Sequence, residues 1–573
     1  MLDAPARTRP RPSGGGAAAA RRDAGGFRLG LALATALPLA FLGVFFAWPV
    51  VSIVGQGLLT DGVLDLSGFG EVFSRSRTWR VVALTLGQAT LGTLGAVVMG
   101  IPGAYVLYRT RFPGQRFARA LVMVPFVMPT VVVGVAFRSL LAPGGALGFL
   151  GLDGTFAAIV LALVFFNYGV VVRTVGSTWS HLDERPGEAA QALGASPWRA
   201  FRSVTLPALA PAVASAAAVV FLYCAAAFGV VLVLGGRRFG TIETEIYLQT
   251  TQFFDLRAAA VLSITQLVVV VSALSLAASA RTRNERALRM AAAAEGAVGG
   301  AHPWRRGDLP ATLATAFVVA TLIVLPIAAL VVRSLRTPDG WGLRNYAGLA
   351  GTGGVLVVPV WEALGNSLRV ALDATVIAVV VGAAVAVVLS RRPRRPVGRR
   401  ALRALDTLFM LPLGVSAVTV GFGFLITLNR PPLDLRSSLI LIPIAQAVVA
   451  IPLVIRTTLP VLRAIDERVH EAAAVLGASP RQVFRFVDLP VLGRSLGLAV
   501  GFAFAISLGE FGATAFLARP DRPTLPVVIF RLIGRPGEEN LGMALAASVV
   551  LAAVTTGVMA LAERLRVRGA SEL

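Results

Sequence analysis

The sequence contains no lysine, one cysteine (Cys224) and three histidines (His181, His302 and His470) in 573 residues. Each scarcity removes a class of chemistry. A phosphate-cradling loop of the form G-x-x-x-x-G-K-[ST] uses its lysine to hold β- and γ-phosphate oxygens, so this chain carries no nucleotide site of that form. One cysteine excludes an internal disulfide framework, and three scattered histidines exclude a Cys/His zinc set. There is no H-E-x-x-H motif, and His470 beside Glu471 reads as an exposed loop histidine rather than an acid and base couple. No catalytic and no metal-binding residue is assigned. Charged residues make up only 14% of the chain, and strand-like alternation of apolar and polar residues is missing, which leaves helices as the element able to span a membrane.

Apolar residues are what is abundant: 56% of the chain is hydrophobic, and 59 glycines add to that share. The formal net charge of +23 does not indicate nucleic acid. The arginines sit in clusters between apolar runs, with no interleaved aromatics in a single domain, and so read as topology signals. The spacing predicts six spans at 29–54, 80–108, 118–141, 155–176, 206–235 and 256–280, and six more at 309–333, 364–390, 402–428, 437–459, 490–518 and 541–563. With the N-terminus in the cytosol, Arg109, Arg111, Arg116, Arg119, the loop from Arg391 to Arg400 and the tail from Glu563 all fall inside, which satisfies the positive-inside rule. A multi-pass membrane protein with both termini cytoplasmic is expected.

Domain boundaries follow. Residues 1–28 form a basic, low-complexity tail; the apolar run after Arg28 is too long for a cleaved signal peptide. A first half covers 29–281, a flexible cytoplasmic linker 282–308, a second half 309–566, and a short tail 567–573. The halves are homologous. Residues 188–209 and 471–492, 283 positions apart, share 14 identities in 22, beginning "EAAQALGASP" and "EAAAVLGASP". At the same offset Arg173 matches Arg456, and Phe228-Gly229 matches Phe511-Gly512. Each copy follows an even number of spans, so the fold class is an all-α polytopic membrane protein of two six-helix halves in parallel repeat.

The repeated loops, 183–209 and 466–492, encode two short helices joined by a tight turn. Gly194 and Gly477 suit a left-handed position ending the first helix. Ser196-Pro197 and Ser479-Pro480 supply an N-cap and a first-turn proline for the second. Ala189, Ala190, Ala472 and Ala473 leave the first helix nearly bare, so a partner's backbone can approach, while Glu188 and Glu471 offer one charge each for pairing. A capped connector packing on its own membrane helices is the alternative, and duplication of glycine, cap and acid favours docking.

The pattern E-A-A, three residues, G-A resembles the EAA loop of permease subunits of bacterial ATP-binding-cassette importers, and the likeness spans nearly the whole chain. The resemblance implies a type I importer architecture in which Glu188, Ala189, Ala190, Gly194, Glu471, Ala472, Ala473 and Gly477 face two ATPase subunits. It implies that ATP and Mg are used by those partners, that no cofactor is bound by this chain, and that an extracytoplasmic solute-binding protein delivers the cargo. Fusion of both halves, with the stretches from Gly240 and Ser507, is most similar to thiamine permeases and next to ferric-iron permeases. An ion-coupled secondary transporter is the rival reading; it calls for paired midplane charges and has no use for duplicated docking loops.

Ionisable and amide side chains inside spans mark a candidate path. Glu510 and Asp373 stand out, with Asn167, Gln266 and Gln446 as lining or mutually satisfied groups. Glu510 has a second reading, reaching for interfacial water or Arg519 at the outer end of its span. Gly95, Gly100, Gly103, Gly382 and Ala384 are expected to permit close helix packing.

Overall fold

The structure, a computed structural model, describes residues 29–236, 238–293, 301–352, 356–391, 395–431 and 433–570. The N-terminal tail, the centre of the linker and the last three residues expected from the sequence lie outside them. The first half runs α1 (Leu29–Leu58), α2 (Ser76–Arg109), α3 (Gln115–Val127), α4 (Thr130–Leu141) and α5 (Phe156–Trp179). It continues with α6 (Arg185–Ala192), α7 (Leu206–Ala225), α8 (Gly229–Leu234), α9 (Ile242–Thr251) and α10 (Leu256–Ala293). The second half repeats the order: α11 (Arg306–Ser334), α12 (Val360–Ser390), α13 (Pro396–Met410), α14 (Ala417–Thr427) and α15 (Leu441–Arg463). Then come α16 (Glu467–Val475), α17 (Leu489–Gly509), α18 (Thr514–Leu517), α19 (Leu525–Ile533) and α20 (Glu538–Ala570). Among the described residues nine helices are long and apolar enough to cross a bilayer, or up to twelve when each bent pair counts as one span.

The third span of each half is sharply bent, by 103° between α3 and α4 and by 95° between α13 and α14. Pro129 precedes α4, where its ring cannot continue a helix, and Ser416 caps α14 by accepting from the Thr419 amide at 3.0 Å. The fifth span is also broken in both halves. The runs 206–235 and 490–518, expected to be continuous, leave the helix at Ala226 and Glu510 and resume as the short α8 and α18. The intervals after them, which lie between expected spans, hold α9 and α19. Their first amides are satisfied in equivalent ways: Ile242 N–H donates to Thr85 Oγ1 at 3.0 Å, and Leu525 N–H to Ser367 Oγ at 2.7 Å.

Glycine sets the tightest helix pairs. A Cβ on Gly100 would lie 2.7 Å from Val171 of α5, and one on Gly382 2.7 Å from Val454 of α15. Gly95 and Gly103 face Val164 and Tyr168 along the same α2–α5 seam. Close packing of this kind substitutes for the hydrophobic driving force that lipid does not supply.

The first helix of each half crosses to the other half. Leu42 and Phe46 of α1 are buried in one cluster with Ala378, Val385 and Val448 of the second half, and a Cβ on Gly423 of α14 would lie 2.9 Å from Pro49. Reciprocally α11 packs on α2 and α4, and Arg333 donates to the Ser139 carbonyl at 2.7 Å. The linker is more structured than expected at both ends. Helix α10 runs on to Ala293, and His302–Pro303 pairs in parallel with Thr110–Arg111. Tyr105 donates to buried Asp308 at 2.6 Å, fastening the start of the second half to the first.

Candidate coupling and translocation site

The two repeated loops fold as twins. Asp183 and Asp466 open them by accepting from the Arg185 and Arg468 amides, each at 3.0 Å. At the C-termini of α6 and α16 the geometry is a Schellman motif. Ala195 N–H reaches Ala190 O and Ala478 N–H reaches Ala473 O, both at 3.0 Å, while Gly194 and Gly477 donate to Gln191 and Ala474. The two glycines take φ of +90° and +84°, where a Cβ is strained, which explains why both copies keep glycine. Ser196 and Ser479 then cap the following turns by accepting from the Arg199 and Gln482 amides. A π-turn follows in each copy, Phe201–Thr205 and Phe484–Asp488.

Neither α6 nor α16 buries a single residue in the chain. Glu188, Ala189, Glu471 and Ala472 are exposed; Ala190 and Ala473 are half-buried toward the following turn. The sequence reasoning missed Leu193 and Leu476, which sit at the C-caps with 89% and 88% of their surface in solvent. The signal was present: both copies place a leucine directly before the left-handed glycine. Exposed apolar side chains on otherwise small-residue helices form a surface suited to a partner.

Each loop is tied rigidly to its half. Arg109, buried at the end of α2, pairs with Glu184 ahead of α6, and Trp179 stacks on Phe201 at 5.9 Å. In the second half Arg391, just past α12, donates to Asp488 at 2.9 Å, and Asp488 Oδ1 meets His470 Nε2 at 2.7 Å. His470 is therefore a half-buried member of an ion-pair network, which corrects its reading as an exposed loop histidine beside Glu471.

A second site lies where the broken fifth spans meet. Phe228 and Phe511, equivalent residues of the repeat, stack on each other with centroids 5.4 Å apart and planes 20° from parallel. Tyr247 closes on Phe228 and Phe516, and Phe530 on Phe511. Gly229 and Gly512, the other half of the repeated Phe-Gly pair, let the breaks approach the N-termini of α4 and α14; a Cβ on Gly512 would lie 2.9 Å from Ala417.

Beside this aromatic plug is Glu243, fully buried on α9. Its Oε2 accepts from Ser416 Oγ of the opposite half at 2.8 Å, and its Oε1 has no partner among the described residues. Sequence reasoning missed it because 236–255 falls between the expected spans 206–235 and 256–280. The visible signal was "TIETEIY", acids flanked by isoleucines behind a threonine cap. The equivalent position of the second half, read from the matched Ile242 and Leu525, is Pro526, so this acid is not repeated.

Of the expected path residues, Gln266 lies against Glu243 and Glu510 directly precedes Phe511 of the plug, while Asn167 and Asp373 stand apart. Gln266 of α10 donates to Ala225 O at 3.1 Å and Gln88 to Cys224 O at 2.8 Å, so these amides satisfy carbonyls freed by the break in α7. Asn167 donates to Leu163 O at 2.9 Å inside the first half. Glu510 accepts from the Ala513 and Thr514 amides and from Thr514 Oγ1, which in turn accepts from Gln446 at 3.2 Å. Glu510 thus caps α18 and does not reach Arg519, which pairs with Asp521. Asp373 is exposed on α12, on the flank of the second half and away from the seam.

This arrangement, two fused parallel halves each presenting a capped loop and meeting at a plugged seam, defines an integral-membrane transport component. The profile of the family "Binding-protein-dependent transport system inner membrane component" matches residues 92–284 and 378–568, and the chain belongs to that family. It is the permease component of an importer of the ATP-binding-cassette class, built as two homologous halves in one multi-pass inner-membrane chain. Among particular relatives it is similar to the thiamine transport system permease protein ThiP of Escherichia coli, 30% identical over 81% of this chain and 85% of that protein. ThiP of Brucella suis is 27% identical over 85% and 87%. The putative 2-aminoethylphosphonate transport system permease PhnV of Salmonella paratyphi A is 30% identical over 45% of this chain and 97% of its own. A crystal structure of a bacterial transporter importing alginate aligns with 43% of this chain and 92% of its own, at 19% identity and a TM-score of 0.37.

Proposed function

We propose that this permease imports a small organic cation, thiamine first, handed to it by an extracytoplasmic binding protein and driven by two separate ATPase subunits seated on α6 and α16. The carrying observation is the pair of exposed helices, identical in cap, glycine and apolar tip. In this reading the ATPases supply the nucleotide site and use ATP and Mg, the loops and both termini face the cytosol, and the chain performs no chemistry itself. Glu188, Ala189, Ala190, Gly194 and their counterparts Glu471, Ala472, Ala473 and Gly477 make the contact.

The stroke is mechanical. ATP-driven closure of the ATPases draws α6 and α16 together. Because Arg109–Glu184 and Arg391–Asp488 fasten the loops to α2 and α12, the halves rock as units. Rocking parts Phe228 from Phe511 and Glu243 from Ser416, opening the seam to the outer side. A carboxylate beside aromatic faces suits a cation bearing aromatic rings, and this, with the ThiP relatives, supports thiamine over ferric iron. Uptake of labelled thiamine and of ferric iron in cells with and without the gene tests the assignment; thiamine uptake unchanged by deletion refutes it.

A further inference from the structure

We propose that the second half carries a binding site for one anionic phospholipid of the phosphatidylglycerol type, in a lateral cleft at the membrane face opposite the coupling loops. The cleft has a volume of about 450 Å³ and lies between α12, the start of α15 and the loop that follows α18. Its polar wall consists of Arg369, Arg436, Arg519 and Arg522, with Asn366 and Asp373. Arg519 is held by Asp521 at 2.9 Å and by the Ser437 carbonyl at 2.8 Å, which pins the loop to the lead-in of α15. Among the described residues no carboxylate lies within ion-pair distance of Arg369, Arg436 or Arg522. Arg369, Arg436 and Arg522 therefore line one cleft with Asp373 as the single acid among its lining residues, and Asp521 beyond the lining acts electrostatically on Arg519 and Arg522, which leaves the wall cationic.

The depth matches a headgroup. Twenty-one residues separate Arg369 from Ser390 at the loop end of α12, which at helical rise is roughly 32 Å, the thickness of the hydrocarbon core. The other wall is aliphatic: Val376, Leu439 and Ile440 are 54%, 50% and 48% exposed and continue the apolar outer face of α12 at Leu372 and Val380. A cationic pocket opening onto exposed aliphatic side chains fits a phosphate with acyl chains attached. It does not fit a soluble anion, which gains nothing from the apolar wall. Asp373 and Asn366 complement the glycerol hydroxyls of such a headgroup. The arginines also run against the positive-inside tendency, so they have a use other than topology. The first half has no copy: with Gly100 and Gly382 matched by their valine contacts, Arg369 corresponds to Gly87 and Asp373 to Leu91. One lipid per chain is expected.

The test is native mass spectrometry of the full-length permease, delipidated and then offered phosphatidylglycerol or phosphatidylcholine. The expected result is one retained phosphatidylglycerol per chain, little phosphatidylcholine, and at least tenfold weaker retention in Arg369→Gln/Arg436→Gln/Arg522→Gln. Should that variant fail to match the wild-type melting temperature in phosphatidylcholine nanodiscs, Val376→Trp, at an exposed position on the lip, gives the second arm and is expected to block retention. Equal retention of both lipids, or retention unchanged in the variants, overturns the proposal. So does displacement of the lipid by millimolar glycerol 3-phosphate, which assigns a soluble anion, or by the solute-binding protein, which assigns a protein contact.

Discussion

Truncating Leu193 and Leu476 to alanine isolates docking from folding. Both side chains are nearly nine-tenths in solvent, so the isolated permease loses almost nothing, within about 0.5 kcal/mol as for surface changes generally. If each leucine is buried by an ATPase, removing its branched end deletes about 2 kcal/mol of apolar burial per loop at ~0.8 kcal/mol per carbon. At 1.4 kcal/mol per tenfold change this weakens each contact by roughly thirtyfold. The assay titrates purified ATPase against permease in nanodiscs and follows ATP turnover together with the number of ATPases retained per chain. Each single variant is expected to lose one tight site, and the double variant both, at unchanged melting temperature. Phe149→Ala, at an 81% exposed position on the opposite membrane face, serves as the control and should retain two ATPases. Full ATPase retention by Leu193→Ala/Leu476→Ala refutes the docking argument, as does an equal loss in the control.

Ser196→Ala and Ser479→Ala each remove an N-cap worth about 1 kcal/mol; amide exchange in Pro197–Ala200 and Pro480–Val483 should rise about fivefold while the membrane spans stay protected. Phe228→Ala with Phe511→Ala removes the stacked plug, and solute leak through proteoliposomes without ATP is expected, whereas a tight membrane would show that the seam is sealed elsewhere. Glu243→Gln keeps an oxygen for Ser416 but removes the group able to ionise; thiamine-stimulated ATP turnover should fall at least tenfold with assembly intact, and no change would remove Glu243 from the path. Gly382→Leu drives a side chain into Val454 and should cost about 1–3 kcal/mol, read as a lower melting temperature.

Local rules carried much of this protein. The apolar spans, between nine and twelve by how the bent pairs are counted, the duplication, and the glycine and serine positions of both loops were legible because helix length, capping and positive φ are set by neighbouring residues. Gly194 and Gly477 hold the left-handed turn that their spacing implied. The breaks at Ala226 and Glu510 were not legible, since an apolar run reads the same whether its helix continues or unwinds. What satisfies the freed backbone comes from remote residues: Gln88 and Gln266 in one half, Glu510 in the other.

The sequence by itself determined the membrane fold, the parallel repeat and the two loop helices, because each depends on composition or on interactions within a few residues. Only the tertiary structure decided which surfaces meet. It exchanged α1 and α11 between halves, stacked Phe228 on its own repeat partner and buried Glu243 against Ser416. It also moved Asp373 from an expected path to the flank. Those outcomes depend on contacts across hundreds of residues, where helix faces compete for partners and no local pattern records the winner.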